Sequence, residues 1–170
     1  MIKIHSHNLD EARNNLIQQI NLLSNEEFNR KPGLEKWSIA QVCHHLNLVE
    51  KATIKAIDWG LQQNKKTDLE RKKVERILDR TNKIQAPKIV EPANEPLDVE
   101  QIIDLLSNSR QKLMSLLCTI EDTFILTEKS VKHPAFGELP LDQWIELIYL
   151  HEQRHIEQIK EIKLQFKGDR

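Results

Sequence analysis

Apolar residues recur along most of this chain at intervals of three and four, the period of a helix rather than of a strand. Four stretches carry the pattern. Ala12, Leu16, Ile20 and Leu23 predict a first helix from about Leu9 to Leu23, with Asn8 as its cap ahead of Asp10 and Glu11. Ile39, Val42, Leu46 and Val49 predict a second, opened by Ser38 and Gln41 in an S-x-x-Q capping box and continuing through Ile57 to Leu61. Ile102, Leu105, Leu106, Leu113, Leu116 and Leu117 predict a third, capped by Asp98 and ending near Thr119. Leu141, Trp144, Ile148, Ile159, Ile162 and Phe166 lie on one narrow face of a fourth, which begins near Leu141 and runs almost to the last residue.

The segments between them read differently. Asn25 to Lys36 is a break with a turn at Pro32-Gly33, where Leu34 and Trp37 look like apolar plugs pinning the loop. Asn64 to about Ile84 offers only Leu69, Val74, Ile77 and Leu78 for burial and reads as a short surface helix or a mobile excursion. Pro87, Pro92 and Pro96 then extend the chain into a crossover. Glu121 to Pro140 is an irregular connection holding His133-Pro134 and Gly137. Four long amphipathic helices and one long crossover predict an all-α, four-helix bundle, with residues 1–170 forming a single domain.

Composition narrows the function classes. A chain of 170 residues with 39% apolar content can bury a real core. Its net charge of −1 gives no clustered basic face for nucleic acid, and the basic run Lys65 to Lys73 is interleaved with Asp68 and Glu70. No apolar run is long enough to span a membrane, and Met1 to Asp10 lacks the apolar centre of a signal peptide. Cys43 and Cys118, without CxxC spacing, suit small buried residues in a reducing compartment, so a cytoplasmic protein is expected.

The chemistry lies in the fourth stripe. His151 and His155 occupy its middle, four residues apart, so both rings leave one face a turn apart. Buried imidazoles need partners, and a metal ion suits this spacing. On the second helix, at about 100° per residue, His45 lies roughly 80° from the centre of the apolar stripe and His44 about 180° from it. His45 is therefore the candidate third ligand, while His5, His7 and His44 read as surface residues. His133 either lines the mouth of the site or serves its turn. Three imidazoles leave a coordination position open on a divalent ion, the arrangement of a catalytic site. Zinc, nickel, cobalt or iron(II) would accept them, with zinc and nickel expected first. The alternative is a set of core histidines bonded to one another.

His151-Glu152-Gln153-Arg154-His155 also matches H-E-x-x-H, in which the glutamate of a zinc peptidase is the general base. The extended pattern wants glycine where Gln158 stands and histidine where Glu161 stands, so the peptidase reading fails. Glu152 remains a candidate for proton transfer, set against its plainer reading as a solvated carboxylate.

Three blocks carry a family resemblance. Trp37-Ser38 leading to His45-Leu46 resembles the "W-S-…-H-L" opening of helix two in the DinB-like superfamily. His133-Pro134-Ala135-Phe136-Gly137-Glu138-Leu139 followed by Trp144 resembles its approach to the last helix, and His151 to Gln158 resembles its "H-x-x-R-H-x-x-Q" signature. The nearest branch looks like the DinB_2 group of bacillithiol transferase-like proteins, also described as metal-dependent hydrolases. The resemblance implies an up-down-down-up bundle with a divalent metal on His45, His151 and His155. It further implies a small-molecule substrate, a low-molecular-weight thiol as co-substrate and a homodimer. A metal-dependent thiol transferase or hydrolase is thus expected, the alternative being a non-catalytic, metal-stabilised binding or stress-response module.

Overall fold

Ser38 opens its helix by the expected device: its hydroxyl accepts from the Gln41 N–H and the Gln41 side chain accepts from the Ser38 N–H, both at 3.2 Å. The computed structural model describes residues 5–64, 67–81 and 85–168. Its helices are α1 (Ser6–Ile20), α2 (Asn25–Asn29), α3 (Ile39–Gln62), α4 (Val99–Cys118), α5 (Ile125–Glu128) and α6 (Leu141–Gly168). Strands β1 (Ser130–His133) and β2 (Gly137–Pro140) pair antiparallel, Ser130 opposite Pro140 and His133 opposite Gly137.

The four long helices make the bundle, and cross-helix contacts give their directions. Arg13 meets Glu152 and Gln19 meets Lys163, so α1 and α6 run parallel. Asn47 donates to the Leu105 carbonyl and Glu50 meets Arg110, so α3 and α4 run parallel. Gly60 lies against Leu141 and His45 against His155, so α3 and α6 run antiparallel. The result is an up-down-down-up four-helix bundle, whose parallel middle pair requires the long crossover. Among the described residues, no helix is long and apolar enough to cross a membrane.

The core has two apolar blocks. Leu9, Ile57, Leu113, Leu139 and Ile145 belong to one, and Leu16, Phe28, Ile39, Leu106 and Ile159 to the other. Along every long helix the residue between the blocks is charged: Arg13, Glu50, Arg110 and Glu152.

Several local expectations are corrected. α1 starts at Ser6 rather than Leu9, with His5 at the N-cap position in a left-handed conformation (φ 58°) and no side-chain cap bond, so Asn8 lies inside the helix. Its start is drawn earlier by tertiary contacts, since the His5 ring packs 5.5 Å from that of Tyr149. The break after α1 holds a helix of its own, α2, fastened by the Ser24–Glu27 capping box and by Phe28, which is fully buried. Leu34 is 98% exposed and plugs nothing, whereas Trp37 packs as expected. Cys43 is buried, but Cys118 is exposed at the end of α4. The connection before α6 is not irregular throughout: it carries α5 and the β1–β2 hairpin, with Gly137 at φ 70° leaving its loop. The run after α3 holds a 3-10 turn, Val74–Leu78, docked by Val74, which is fully buried; residues 65–66 and 82–84 of that run lie outside the described residues.

Candidate metal centre

One turn of α6 separates His151 from His155, and their Nε2 atoms face each other at 3.1 Å. His45, on antiparallel α3, brings its ring to 5.1 Å from both. One ring nitrogen from each of the three lies within 4.8 Å of the other two. The structure thus brings together the three histidines singled out in the sequence.

Hydrogen bonds on the far sides of the rings decide what these nitrogens can do. A carbonyl oxygen only accepts, so the His45 Nδ1–H donates to the Val90 backbone oxygen, at 2.7 Å. The amide oxygen of Gln158 likewise takes the Nδ1–H of His155 at 2.7 Å. In each neutral ring the free lone pair is then on Nε2, turned toward the other imidazoles. Donation of the outer N–H to a carbonyl oxygen is how metal-ligating histidines are generally held. His151 Nε2 can meet the His155 lone pair either as an N–H donor or, with its proton on Nδ1, as a second ligand atom, so the donor set fits a divalent ion.

Electrostatics keeps the rings in their ligating form. Burial lowers the His151 pKa well below the usual imidazole value, and the nearby His155, His45, Arg154 and His133 act in the same direction. Burial, with the neighbouring His45, depresses His155 to about 3 against the opposing bond from Gln158. Burial also lowers His45, and the Val90 carbonyl only partly offsets it. All three are neutral at ordinary pH, so each ring can offer one lone pair to a metal. The Trp37 ring packs tilted against that of His45, 5.1 Å between centroids.

The other histidines fall into distinct roles. His7 is exposed as expected, while His5 is half-buried against Tyr149. His44 is not simply solvated: it is half-buried, and its Nδ1 accepts from the Ala93 N–H at 3.1 Å. Rotation of an ideal helix points it outward, but the crossover returns over that face. His133 serves its hairpin loop, with Nδ1 accepting from the Ala135 N–H at 3.0 Å and its ring 4.7 Å from Trp144. Burial lowers its pKa to about 4.

Glu152 is 2% exposed, which overturns its reading as a solvated carboxylate. Its Oε1 accepts from Arg13 at 2.5 and 2.8 Å, and its Oε2 from Arg110 at 3.1 Å. Glu50 completes a four-charge ring, accepting from Arg13 at 2.9 Å, from Arg110 at 2.7 Å and from the Ser109 hydroxyl. Burial opposes the Glu50 charge, yet Arg13, Arg110 and Ser109 together hold its carboxyl below the usual range. Each long helix supplies one member, so the ring sets the mutual register of all four. Both Glu152 oxygens are engaged by guanidinium groups, which leaves neither free as a base beside the histidines.

Comparison with known proteins agrees with this fold. The model of the DinB superfamily matches residues 8–159. The chain is 34% identical over 154 residues to the uncharacterized protein YuaE of Bacillus subtilis (strain 168), covering 91% of this chain and 94% of that one. Among solved structures it resembles TT2238, a four-helix bundle protein, with a TM-score of 0.62, 17% identity and coverage of 91% and 94% of the two chains. It also resembles YfiT from Bacillus subtilis, described as a probable metal-dependent hydrolase with an unusual four-helix bundle topology. That likeness has a TM-score of 0.64 at 18% identity and covers 95% and 85% of the two chains. At such identities the structural likenesses speak for the fold alone.

Proposed function

The chain belongs to the DinB superfamily, and from its three converging neutral imidazoles we propose a metal-dependent enzyme of thiol-transferase or hydrolase type that acts on a small molecule. The observation that carries this reading is the grouping of one nitrogen each from His45, His151 and His155 within 4.8 Å, with Val90 and Gln158 on the outer nitrogens of two of them. These residues would hold a divalent ion, zinc or nickel first among those suited to imidazole. Three ligands leave at least one position for a substrate thiol or water, and a bound ion would act as a Lewis acid that lowers the pKa of that group toward neutrality. Val90 and Gln158 keep the rings from turning away, and Trp37 packs against His45. The description of YfiT as a probable metal-dependent hydrolase supports the hydrolase arm.

The burial of two of the three histidines, with His151 half-buried, favours a second reading. His45 is 5% exposed and His155 8%, which also suits a metal-stabilised module with no turnover. The deciding experiment loads metal-free protein with zinc or nickel and follows both thiol addition to a small electrophile and ester hydrolysis. Ion-dependent turnover that disappears in His151→Ala is the expected result. Stoichiometric ion binding with no ion-dependent turnover in either assay would overturn the enzymatic reading and leave the stabilising one.

A further inference from the structure

His133 ends β1 at the tip of the hairpin, and its ring is held from several sides. Its Nδ1 accepts from the Ala135 N–H at 3.0 Å. The ring makes T-shaped contacts with Phe136, 5.3 Å between centroids, and with Trp144, 4.7 Å. Trp144 also ties the hairpin to α6, its Nε1–H donating to the Val131 carbonyl at 3.2 Å. Arg76 holds the tip, donating to the Ala135 carbonyl at 3.0 Å with its guanidinium 4.4 Å over the Phe136 ring. A ring nitrogen that accepts carries no proton, so His133 is the neutral tautomer with its hydrogen on Nε2. Burial, which lowers its pKa to about 4, keeps the ring neutral at ordinary pH. Among the described residues nothing accepts from this Nε2–H, and the atom is not sealed from solvent as Asn47 Oδ1 and Asp142 Oδ1 are.

This free donor stands on the open side of the histidine group. Trp144 and His151 are seven residues apart on α6, two turns along one face and about 10 Å along the axis. Helix side chains lean toward the N-terminus, so the His151 ring leans toward the Trp144 end. On the opposite side Gln158 occupies the outer nitrogen of His155. His45 and His155 are buried, whereas His151 is only half-buried. A small molecule therefore reaches the three rings past His151, and His133 is close enough to His151 to act on its pKa. We propose that the His133 Nε2–H binds an acceptor oxygen of the substrate, and that the small molecule taken by this site carries a carbonyl or carboxylate beside its reacting end. The inference rests on the metal-binding reading of His45, His151 and His155. The reacting end would lie at the three imidazoles and the oxygen at His133. With its Nδ1 lone pair already engaged by Ala135, the neutral ring is a donor and not a base, which suits holding a carbonyl or carboxylate oxygen.

Two variants separate this role from a purely local one. His133→Asn sets its amide oxygen near the Nδ1 position, so it keeps the Ala135 bond and loses the Nε2–H. His133→Gln sets an N–H near the Nε2 position and gives up the Ala135 bond. The probe is 3-mercaptopropionate, whose thiolate binds a metal and whose carboxylate accepts; 1-propanethiol is the same chain without the acceptor. Both are titrated into cobalt(II)-loaded protein and followed by the visible absorption of the ion. The preference for 3-mercaptopropionate over 1-propanethiol should fall roughly tenfold in His133→Asn and be kept in His133→Gln. A preference kept in His133→Asn and lost in His133→Gln, the order a turn-forming role gives, would overturn the proposal, as would one unchanged in both; in either case the metal site stands. A readout free of any ion is the imidazole nitrogen shifts of metal-free, ¹⁵N-labelled wild type, which should show His133 protonated on Nε2 alone at neutral pH. A proton on Nδ1 would overturn the assignment. If wild type binds no cobalt, both readings fall.

Discussion

Glu152→Ala removes one corner of the buried charge ring. It takes from Arg13 contacts at 2.5 and 2.8 Å and from Arg110 a contact at 3.1 Å, leaving Glu50 to face two guanidinium groups. Water cannot readily replace the lost carboxylate, because Arg13 is 8% exposed and Arg110 7%. Breaking a buried ion pair by deleting one partner costs roughly 3–5 kcal/mol. At about 2–4 °C per kcal/mol for a domain of this size, the melting temperature should fall by roughly 6–20 °C. Thermal unfolding of the metal-free protein, followed by circular dichroism, reads this directly. A surface carboxylate would change stability by no more than about 0.5 kcal/mol, so a fall under about 2 °C would refute the ring. Arg13→Met combined with Glu152→Met should be less harmful than the sum of the single changes, since an uncharged pair leaves no orphan charge.

Further outcomes follow from the same geometry. Folded-state pKa values of His45, His151 and His155 lie below the unfolded imidazole value, so the unfolded chain binds more protons as pH drops below about 6.5. Stability of the metal-free protein should therefore fall from that pH down toward 3, by about 2 kcal/mol at pH 5 for His155 alone; urea titrations across that range check the slope, and a flat profile would contradict it. Glu50, held below its ordinary range, should add a further loss below about pH 4.5. Zinc at a hundredfold excess over its Kd should add about 2.7 kcal/mol and raise the melting temperature by roughly 5–10 °C, and chelation should reverse it. A Cβ on Gly60 would stand 2.7 Å from Val131 Cγ2 and 2.8 Å from Leu141 Cδ2, so Gly60→Ala should destabilise by roughly 1 kcal/mol despite its gain in helix propensity, and Val131→Ala should relieve only the part of that loss due to Val131.

Long elements were legible where period and capping agreed. Ser38–Gln41 and Asp98 start α3 and α4 with side-chain bonds visible as residue types, and the α6 stripe from Leu141 to Ile162 is buried as its spacing implies. The pairing of His45 with His151 and His155 was readable because rotation on one helix and i, i+4 spacing on another are local geometry. The charge ring was hidden in plain view. Arg13, Glu50, Arg110 and Glu152 each stand four residues after a buried apolar residue, namely Leu9, Leu46, Leu106 and Ile148. Two basic and two acidic residues in phase with the apolar stripes are the signal, and in Glu152 it overlaps the match to a peptidase motif. The short α2 carried its own mark in Ser24–Glu27. The hairpin did not: strands of four residues around His133-Pro134 lack the alternation and the Asn-Gly type of turn that reveal longer ones. The Val90 carbonyl was beyond reach, because a backbone acceptor is set by the path of the crossover rather than by residue type.

The most direct test of the central claim is the metal content of protein purified without an affinity tag and reconstituted with zinc, measured by mass spectrometry for wild type, His45→Ala, His151→Ala and His155→Ala. Close to one ion per wild-type chain is expected, and its loss in all three variants, each still folded. A stoichiometric ion retained in any of them, or no ion bound by wild type after reconstitution, would contradict it.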